Sequence, residues 1–373
     1  MDSKQTKRPV LITAGGTGGH VYPGLAVARA LMAQNIPVIW MGTHKGLEAR
    51  VIPEAGIEMA WLDVAGVRGK GLMTLLVAPI NLTRALIQSI GIMRKHKPAA
   101  VLGMGGFVAG PGGLVAALMG KPVVIHEQNA VAGLTNKLLS KVCRRVLEGF
   151  PGTFPASNKV LATGNPVRLD IASLPAPAER MAARAHEPLH ILIVGGSLGA
   201  QALNSLVPQA LAQLKVTQAP LVRHQAGVKH IEDAQQQYAK AGVQAEVMPF
   251  IEDMAEAYAW ADLIICRAGA LTIAEVAAAG VASILIPFPH AVDDHQTANA
   301  HYLADNGAAV LVQQRDLDAD KLTELLQSLV SDRSQLLQMA QTARQLAKPQ
   351  ATAQVAAICA TYAGYDFNNS TGQ

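Results

Sequence analysis

The chain has 373 residues, of which 50% are hydrophobic and 16% are charged, and 33 are glycines. This composition excludes an intrinsically disordered chain, which needs few apolar residues and much charge. The length exceeds what one hydrophobic core usually supports, so we expect two domains. Aromatic residues make up only 4% of the chain. The core must therefore be aliphatic, as is typical of an α/β enzyme with buried parallel strands.

The net charge is +4, but the charged residues are distributed unevenly between the two halves of the chain. Residues 1–168 carry 19 Lys and Arg against 7 Asp and Glu, whereas residues 169–373 carry 12 against 20. The first half is thus +12 and the second −8. This polarity indicates that the first half faces a polyanion, either nucleic acid or an anionic membrane leaflet. A solvated basic face without a partner is the alternative.

The three cysteines, Cys143, Cys266 and Cys359, are far apart and show no CxxC spacing. This favours a reducing cytosol over a disulfide framework or a zinc cluster. We expect no signal peptide, because the apolar run after Arg8 stops at a glycine cluster. We also expect no membrane span, because the most apolar stretch, residues 72–93, is interrupted by Pro79, Asn81 and Arg84.

The first half opens with an apolar strand that starts at Pro9. A glycine turn follows it and ends at His20, and a helix-like stretch, Gly24–Ala33, comes next. This order predicts the start of a βαβ unit. Leu82, Leu86, Ile90 and Met93 recur at helical spacing and predict one apolar face. Further strands are predicted at 38–41, 100–103 and 123–126.

The second half repeats the pattern from His190, with a glycine turn at residues 195–199 and a helix over 203–214. Further strands are predicted at 221–224, 245–248, 263–266 and 283–286. Residues 149–188 are predicted as the connection, and a last helix over 352–362 could cross back. The fold class is therefore α/β, with two Rossmann-like domains of mostly parallel strands facing a central cleft. We place them at 1–168 and 169–349, with a C-terminal helix of about 350–365 packing on the first.

Ligands of such sheets bind at the carboxyl ends of the strands, where the glycine turns lie. Neither turn fits GxGxxG or a P-loop, which disfavours dinucleotide and ATP binding. His20 follows the first turn and could act as a general base near neutral pH, or could simply cap the turn. His126-Glu127-Gln128-Asn129 follows a buried strand and directs a carboxylate and an amide toward the same cleft. Glu127 alone could instead be a helix cap.

In the second half, Arg267 to Glu275 follows a strand and begins a helix. The free N–H groups of residues 270–272 could hold a phosphate or a sugar hydroxyl. Glu275 could chelate the two hydroxyls of a ribose, or could stabilise the helix dipole as an ordinary first-turn acid. Asp293 and Asp294 suggest a metal, but no second cluster has ligand spacing. We therefore expect no metal.

Together these motifs resemble those of the MurG family of N-acetylglucosaminyltransferases. The resemblance covers residues 8–362 and rests on seven segments in the family's order: Gly15–His20, Gly105–Gly113, His126–Asn129, Gly164–Arg168, Gly195–Ser197, Arg267–Thr272 and Asp294–Gln296. It implies a GT-B fold and transfer of N-acetylglucosamine from UDP-N-acetylglucosamine to the 4-hydroxyl of the N-acetylmuramoyl sugar of lipid I. The products are lipid II and UDP, the linkage inverts to β, and no cofactor is needed.

The resemblance also implies roles for individual residues. His20 would be the base, with Glu127 either orienting it or serving instead. The positions expected at the donor and acceptor are Thr17, Gly18, Gly19 and Asn129 around the sugars, Arg168 and Ile251 beside the uracil, Ser197 at the diphosphate, Ala270, Leu271, Thr272, Ile273 and Ala274 at the diphosphate and sugar, Glu275 at the ribose, and Gln296 at the sugar hydroxyls. Two positions depart from the family, since Leu198 stands where glutamine is expected and Phe107 where many relatives have an aromatic hydroxyl.

A polyprenyl-diphosphate acceptor would place the first domain on the anionic inner leaflet, as a peripheral protein of the cytoplasmic face. A segment that mixes cations and apolar side chains is the predicted membrane patch: Arg68, Lys70, Leu72, Leu75, Leu76, Ile80 and Arg84. The alternative is a helix packed in the core. The resemblance also implies roles in cell shape and division, with other cell-wall or division proteins as partners.

Three other functions fit parts of the sequence. A UDP-N-acetylglucosamine 2-epimerase of the same fold would need no lipid acceptor and no membrane patch. A non-catalytic scaffold of the cell-wall machinery would bind membrane and nucleotide only. Nucleic-acid binding is disfavoured because the basic half lacks interleaved aromatic residues for base stacking.

Overall fold

The computed structural model describes residues 7–63, 72–196 and 199–368; for residues 72–77 and 292 it describes the backbone only. The chain divides into two compact units. Unit 1 comprises Met1–Pro166 and Gln350–Gln373, and unit 2 comprises Val167–Pro349.

Unit 1 contains a seven-stranded sheet in the order β3-β2-β1-β4-β5-β6-β7, in which every described pair is parallel. Its strands are β1 (Val10–Thr13), β2 (Val38–Thr43), β3 (Glu58–Leu62), β4 (Ala100–Gly103), β5 (Val123–Glu127), β6 (Arg145–Glu148) and β7 (Val160–Ala162). Its helices are α1 (Gly18–Ala33), α2 (Glu48–Glu54), α3 (Leu72–His96), α4 (Gly106–Leu118), α5 (Leu134–Leu139) and, from the end of the chain, α15 (Ala351–Ala363).

Helices cover both faces of this sheet because neighbouring residues of a strand point to opposite sides. Val10 and Ile12 of β1 pack with α1 and α15, whereas Leu11 packs with α3 and α4. The central strands β1 and β4 are buried on both sides and show no polar alternation. The last helix thus completes the core of the first unit.

Two helices of unit 1 differ from the sequence-based expectation. Helix α1 begins at Gly18, not Gly24, and includes the buried Pro23, although proline lacks the N–H of an inner helical residue. On α3, Met93 is buried but Leu82 is 46% exposed, so the predicted apolar face is not wholly covered. The buried stripe of α3 runs instead through Ala85, Ser89 and Met93.

Unit 2 contains a six-stranded sheet in the order β10-β9-β8-β11-β12-β13, again with every described pair parallel. Its strands are β8 (His190–Val194), β9 (Leu221–Gln225), β10 (Glu246–Met248), β11 (Leu263–Cys266), β12 (Ala282–Leu285) and β13 (Ala309–Leu311). Its helices are α6 (Leu169–Ala172), α7 (Pro177–Ala183), α8 (Gln201–Ala212), α9 (Ile231–Ala241), α10 (Met254–Trp260), α11 (Ala270–Ala279), α12 (His295–Ala304), α13 (Ala319–Val330) and α14 (Arg333–Leu346). The predicted connection, residues 149–188, itself contains β7, α6 and α7.

Both sheets confirm the predicted α/β class. In each, the strand order reverses direction between two central neighbours, β1 and β4 in unit 1, and β8 and β11 in unit 2. The carboxyl ends of such neighbouring strands leave a crevice in which ligands of open parallel sheets bind. Each unit therefore has one expected site.

Candidate active site

The crevice of unit 1 is bordered by the turn after β1, and a buried carboxylate fixes that turn. Glu48 Oε2 accepts from the N–H of Gly16 at 3.0 Å, and its Oε1 accepts from the N–H and hydroxyl of Thr43 at 3.0 and 2.9 Å. Glycines make room for this carboxylate, since a Cβ on Gly15 would lie 2.6 Å from Glu48 Oε1 and a Cβ on Gly42 2.7 Å from its Cγ. A Cβ on Gly46 would also collide with it. These glycines therefore serve the packing of Glu48 against the turn.

His20 lies in the first turn of α1, three residues after Thr17, which is the exposed N-cap residue. Gly18 and Gly19 are the first two residues of the helix, so the predicted donor-side residues are adjacent to the predicted base. The imidazole Nδ1 lies 2.7 Å from the side-chain oxygen of Gln128. This hydrogen bond brings together the turn after β1 and the segment after β5.

Glu127 is not the group that contacts His20 in this structure. It is 2% exposed, and its Oε1 accepts from the N–H and side-chain amide of Asn129 at 3.1 and 3.2 Å. Its Oε2 accepts from the N–H of Gly133 at 3.0 Å and from Asn136 Nδ2 at 2.9 Å. The carboxylate thus organises the loop between β5 and α5. Gln128, one residue further, occupies the orienting position that the sequence analysis considered for Glu127.

The crevice of unit 2 is bordered by glycines that follow β8, of which the structure describes Gly195, Gly196 and Gly199. Gly196 and Gly199 have φ angles of +86° and +75°, which favour glycine. A Cβ on Gly199 would collide with the carbonyl of Ala226, so this turn packs against the backbone that follows β9. The predicted diphosphate contact, Ser197, and the departure at Leu198 lie outside the described residues.

The neighbouring border of this crevice is the N-terminus of α11, whose N-cap residue is Gly269. Glycine has no side chain to cap the first N–H groups of the helix, which leaves those of Ala270, Leu271 and Thr272 available to an anion. Ile273 is fully buried, and its N–H already donates to the carbonyl of Gly269 at 2.9 Å, whereas Ala274 is partly buried. The N-terminus of α11 therefore suits a phosphate group.

Glu275 in the next turn of α11 is buried and has two polar neighbours. Its Oε2 accepts from the hydroxyl of Tyr258 at 3.1 Å, and its Oε1 lies 3.7 Å from Arg168 Nη2. Burial raises the pKa of Glu275 to about 7, although the Arg168 guanidinium opposes that rise. A buried carboxylate with a perturbed pKa in a crevice is a functional-site candidate. The predicted ribose and uracil residues thus meet within one unit.

Two other predicted positions lie elsewhere in unit 2. Ile251 follows β10 and is buried, with 7% of its surface exposed. Gln296 in the first turn of α12 accepts from the N–H of Phe288 at 2.9 Å through its Oε1. That bond holds the amide against the loop after β12.

Four residues that build these sites were missed by sequence reasoning: Glu48, Gln128, Asn136 and Tyr258. Each acts through a contact distant in sequence, which local spacing cannot reveal. The one available signal was Gln128, which lies inside the quoted motif between Glu127 and Asn129.

Among the described residues, no group of three or more His, Cys, Asp or Glu side chains could hold a metal ion. Asp294 Oδ1 instead accepts from the hydroxyl of Thr297 at 2.7 Å. Within the same part of the chain, no helix combines the length and apolar character that crossing a membrane requires.

Comparison with known proteins places this arrangement in a family. Residues 10–148 match the glycosyltransferase family 28 N-terminal domain, and residues 190–355 match its C-terminal domain. A Cupriavidus metallidurans protein is 55% identical over 96% of this chain and 99% of its own length, and one from Alkalilimnicola ehrlichii is 57% identical over 94% and 98%. Both are named UDP-N-acetylglucosamine--N-acetylmuramyl-(pentapeptide) pyrophosphoryl-undecaprenol N-acetylglucosamine transferase.

Solved structures agree with the sequence comparison. The crystal structure of Acinetobacter baumannii MurG has a TM-score of 0.81 and 48% identity, covering 94% of this chain and 99% of its own. A UDP-GlcNAc 2-epimerase from Neisseria meningitidis, covering 92% of this chain and 98% of its own, has a TM-score of 0.65 at 14% identity, which shows the shared fold alone. The chain therefore belongs to glycosyltransferase family 28 and, within it, to the MurG family of N-acetylglucosaminyltransferases, which have the GT-B fold.

Proposed function

We propose that this protein transfers N-acetylglucosamine from UDP-N-acetylglucosamine to the 4-hydroxyl of the N-acetylmuramoyl sugar of lipid I, undecaprenyl-pyrophosphoryl-MurNAc-pentapeptide. The products are lipid II and UDP, which places the enzyme in peptidoglycan synthesis. The observation that carries this proposal is the 55% identity, over 96% of the chain, to a protein named for this transfer.

The chemistry of the described residues is consistent with this transfer. His20 takes the proton from the acceptor hydroxyl, whose oxygen attacks the anomeric carbon. The bond from that carbon to the UDP oxygen breaks on the opposite face, which inverts the configuration, and the electron pair leaves with UDP. The N–H groups at the start of α11, residues 270–272, stabilise the negative charge that develops on the diphosphate.

Unit 1 supplies the base and unit 2 binds the nucleotide in this scheme. The sugars are contacted by Thr17, Gly18, Gly19, Asn129 and Gln296. Ser197 binds the diphosphate, Ile251 and Arg168 bind the uracil, and Glu275 accepts hydrogen bonds from the ribose hydroxyls.

The test is UDP release from UDP-N-acetylglucosamine, measured with and without a short-chain lipid I analogue. We expect UDP release only with the acceptor, together with a β-linked disaccharide product. Epimerisation of the donor without any acceptor would identify a 2-epimerase instead. Donor binding without turnover of either kind would identify a scaffold, and both outcomes would overturn the proposal.

We also propose that unit 1 binds the cytoplasmic face of the inner membrane peripherally. Of the predicted patch, the side chains of Leu72, Leu75 and Leu76 and all of Arg68 and Lys70 lie outside the described residues. Ile80 is 60% exposed and Arg84 is exposed, and Ile87, one further turn along α3, is 63% exposed. These exposures argue against the alternative of a core-packed helix for this part of α3.

Neighbouring helices extend this surface. Leu118 at the end of α4 is 78% exposed and Leu138 of α5 is 56% exposed, between the exposed Lys137 and Lys141. An open depression of about 710 Å³ adjoins them, and five of its lining residues are cations while none of its described lining residues is acidic: Lys121, Lys141, Arg144, Arg145 and Lys159. Apolar groups beside unopposed cations suit anionic phospholipid headgroups. Membrane attachment would place the enzyme where cell-wall and division proteins act.

The double variant Ile80→Ser, Ile87→Ser is expected to weaken vesicle binding by about 10- to 100-fold, since each isoleucine loses the free energy of apolar burial. The measurement is flotation with vesicles rich in phosphatidylglycerol, compared with phosphatidylcholine alone and with high salt. The control is Leu221→Ser, Val228→Ser, which removes two side chains of unit 2 that are 46% and 70% exposed. Equal binding by the unmodified chain and the Ile80, Ile87 variant would refute the membrane surface.

A further inference from the structure

The imidazole of His20 is fixed by packing as well as by a hydrogen bond. Gly105, the N-cap residue of α4, and Gly106, its first residue, have φ angles of +92° and +76°. A Cβ on Gly105 would lie 3.2 Å from Cε1 of His20, and a Cβ on Gly106 would lie 3.5 Å from its Cδ2. The imidazole ring therefore lies close to the backbone of Gly105 and Gly106 and forms a hydrogen bond with Gln128 through Nδ1.

Contacts on the far side of Gln128 decide which end of its amide faces His20. Gln128 Nε2 lies 3.1 Å from the carbonyl oxygen of His126 and 3.0 Å from the Nδ1 of that residue. A carbonyl oxygen can only accept, so the atom beside it must be the amide nitrogen, which donates. The Gln128 oxygen is therefore the end that faces His20, and the Nδ1 of His20 must carry a hydrogen.

His126 is fixed in turn by a second backbone carbonyl. Its Nε2 lies 2.9 Å from the oxygen of Gly164 and must donate to it. The ring is fully buried, and this burial lowers its pKa to about 4. A neutral imidazole has one N–H, so Nδ1 is left as the acceptor for Gln128. The carbonyls of Gly164 and His126 thus fix the direction of each hydrogen bond in the chain: His20 donates to Gln128, Gln128 donates to His126, and His126 donates to Gly164.

The charged groups around this chain are engaged elsewhere. The Glu127 carboxylate accepts from Asn129, Gly133 and Asn136, and Glu48 holds the turn through Gly16. The amides of Asn136 and Asn165 donate to the carbonyls of His126 and Gln128, which fixes the backbone that carries both side chains. The partner of His20 is therefore the neutral amide of Gln128, which the ring and the carbonyl of His126 fix in place.

We propose that Gln128 and His126 are positioning residues that hold His20 as the Nδ1–H tautomer, so that its Nε2 lone pair receives the proton of the acceptor hydroxyl. The proposal rests on the proposed function, in which His20 is the base. The arrangement resembles a catalytic triad in which an amide replaces the carboxylate. An amide orients the ring but stabilises the imidazolium less than a carboxylate does, which favours release of the proton after transfer.

The tautomer can be measured without activity, by NMR of the full chain labelled with ¹⁵N-histidine at pH 8. His20→Gln identifies the resonances of His20. We expect a protonated Nδ1 and a bare Nε2 in the unmodified chain, and a mixture of tautomers in Gln128→Met, which keeps the side-chain length but removes both hydrogen bonds. An Nε2–H tautomer in the unmodified chain would overturn the proposal.

Kinetics give a second test that a merely structural role would not satisfy. Gln128→Met should lower kcat by about 10- to 100-fold, as expected for a misplaced catalytic group, with the KM for UDP-N-acetylglucosamine unchanged. Gln128→Glu keeps an acceptor, so kcat at pH 9 should stay within about tenfold, while the acid limb of the profile moves up by about one pH unit because a carboxylate stabilises the imidazolium. The control is Gln209→Met, at an exposed glutamine of α8.

The outcomes separate this proposal from the proposed function. A wild-type kcat in Gln128→Met would overturn the positioning role of Gln128 and His126. An unchanged acid limb of the pH–kcat profile in Gln128→Glu would overturn it as well. The expected tautomer in a chain that never releases UDP in response to acceptor would instead overturn the proposed function.

Discussion

Replacing His20 by alanine is expected to lower kcat by about 10²- to 10⁴-fold, the usual contribution of a general base. The acceptor hydroxyl would then have to lose its proton to water. Binding of UDP-N-acetylglucosamine should be unchanged, because the proposed nucleotide contacts lie in unit 2, around Glu275 and the start of α11. The measurements are kcat from acceptor-dependent UDP release and Kd for the donor from calorimetry.

The control is His186→Ala, which removes an exposed imidazole from unit 2. Glu127→Gln tests the remaining candidate base, with Tm measured to detect loss of the loop that the carboxylate holds. If His20→Ala kept its turnover while Glu127→Gln, still folded, lost it, the base would have to be reassigned to Glu127.

Glu275→Gln is expected to weaken donor binding by about 10- to 100-fold, since hydrogen bonds to a charged acceptor contribute about 1.5–3 kcal/mol. In the unmodified chain, donor binding should also weaken as the pH falls through about 7, where burial places the pKa of Glu275. Below that pH the carboxyl is protonated and accepts less well. The variant should show no such pH dependence. The measurement is donor Kd between pH 6 and pH 8.

The same substitution is expected to stabilise the ligand-free protein at alkaline pH. The pKa of Glu275 rises from an ordinary 4.5 to about 7 on folding. Between these values the folded chain binds a proton that the unfolded chain has lost, so stability falls as the pH rises through that window. Glutamine cannot ionise, and its advantage should reach on the order of 3 kcal/mol above pH 7.

Urea unfolding at pH 5 and pH 8 measures this difference. The control is Glu232→Gln, at an exposed first-turn glutamate of α9. It should change neither the donor Kd nor the free energy of unfolding. A Glu275→Gln protein that is less stable at pH 8 and binds donor normally would show that this carboxylate is structural.

The sequence predicted the parts of the fold that depend on local pattern. The runs 100–103 and 263–266 are apolar without alternation, which favours buried parallel strands, and their bounds were correct. The strand predicted at 283–286 lies at 282–285 instead. The start of α1 was missed because glycine and proline disfavour a helix locally, while packing on the sheet imposes one. The predicted site segments were identified by their order along the chain, and residues such as Ser197 remain predictions.

The residues that hold the site together could not be predicted in the same way. Glu48 and Tyr258 act on Gly16 and Glu275, which are 32 and 17 positions away. Gln128 lies within a recognised motif, yet only its contacts with the carbonyl and the ring of His126 reveal which way its amide points. Hydrogen-bond direction depends on three-dimensional neighbours, and a one-dimensional pattern does not contain them.

The carboxylate of Glu48 and the glycines around it cannot change independently of one another. Any residue other than glycine at position 15, 42 or 46 would collide with the Glu48 side chain. A shorter side chain at position 48 would leave the N–H of Gly16 without its partner. A new side chain at position 42 or 46 would fill space that a shortened Glu48 vacates, whereas one at position 15 would still lie 2.9 Å from Val108 Cγ2. Divergence at positions 42, 46 and 48 should therefore be correlated.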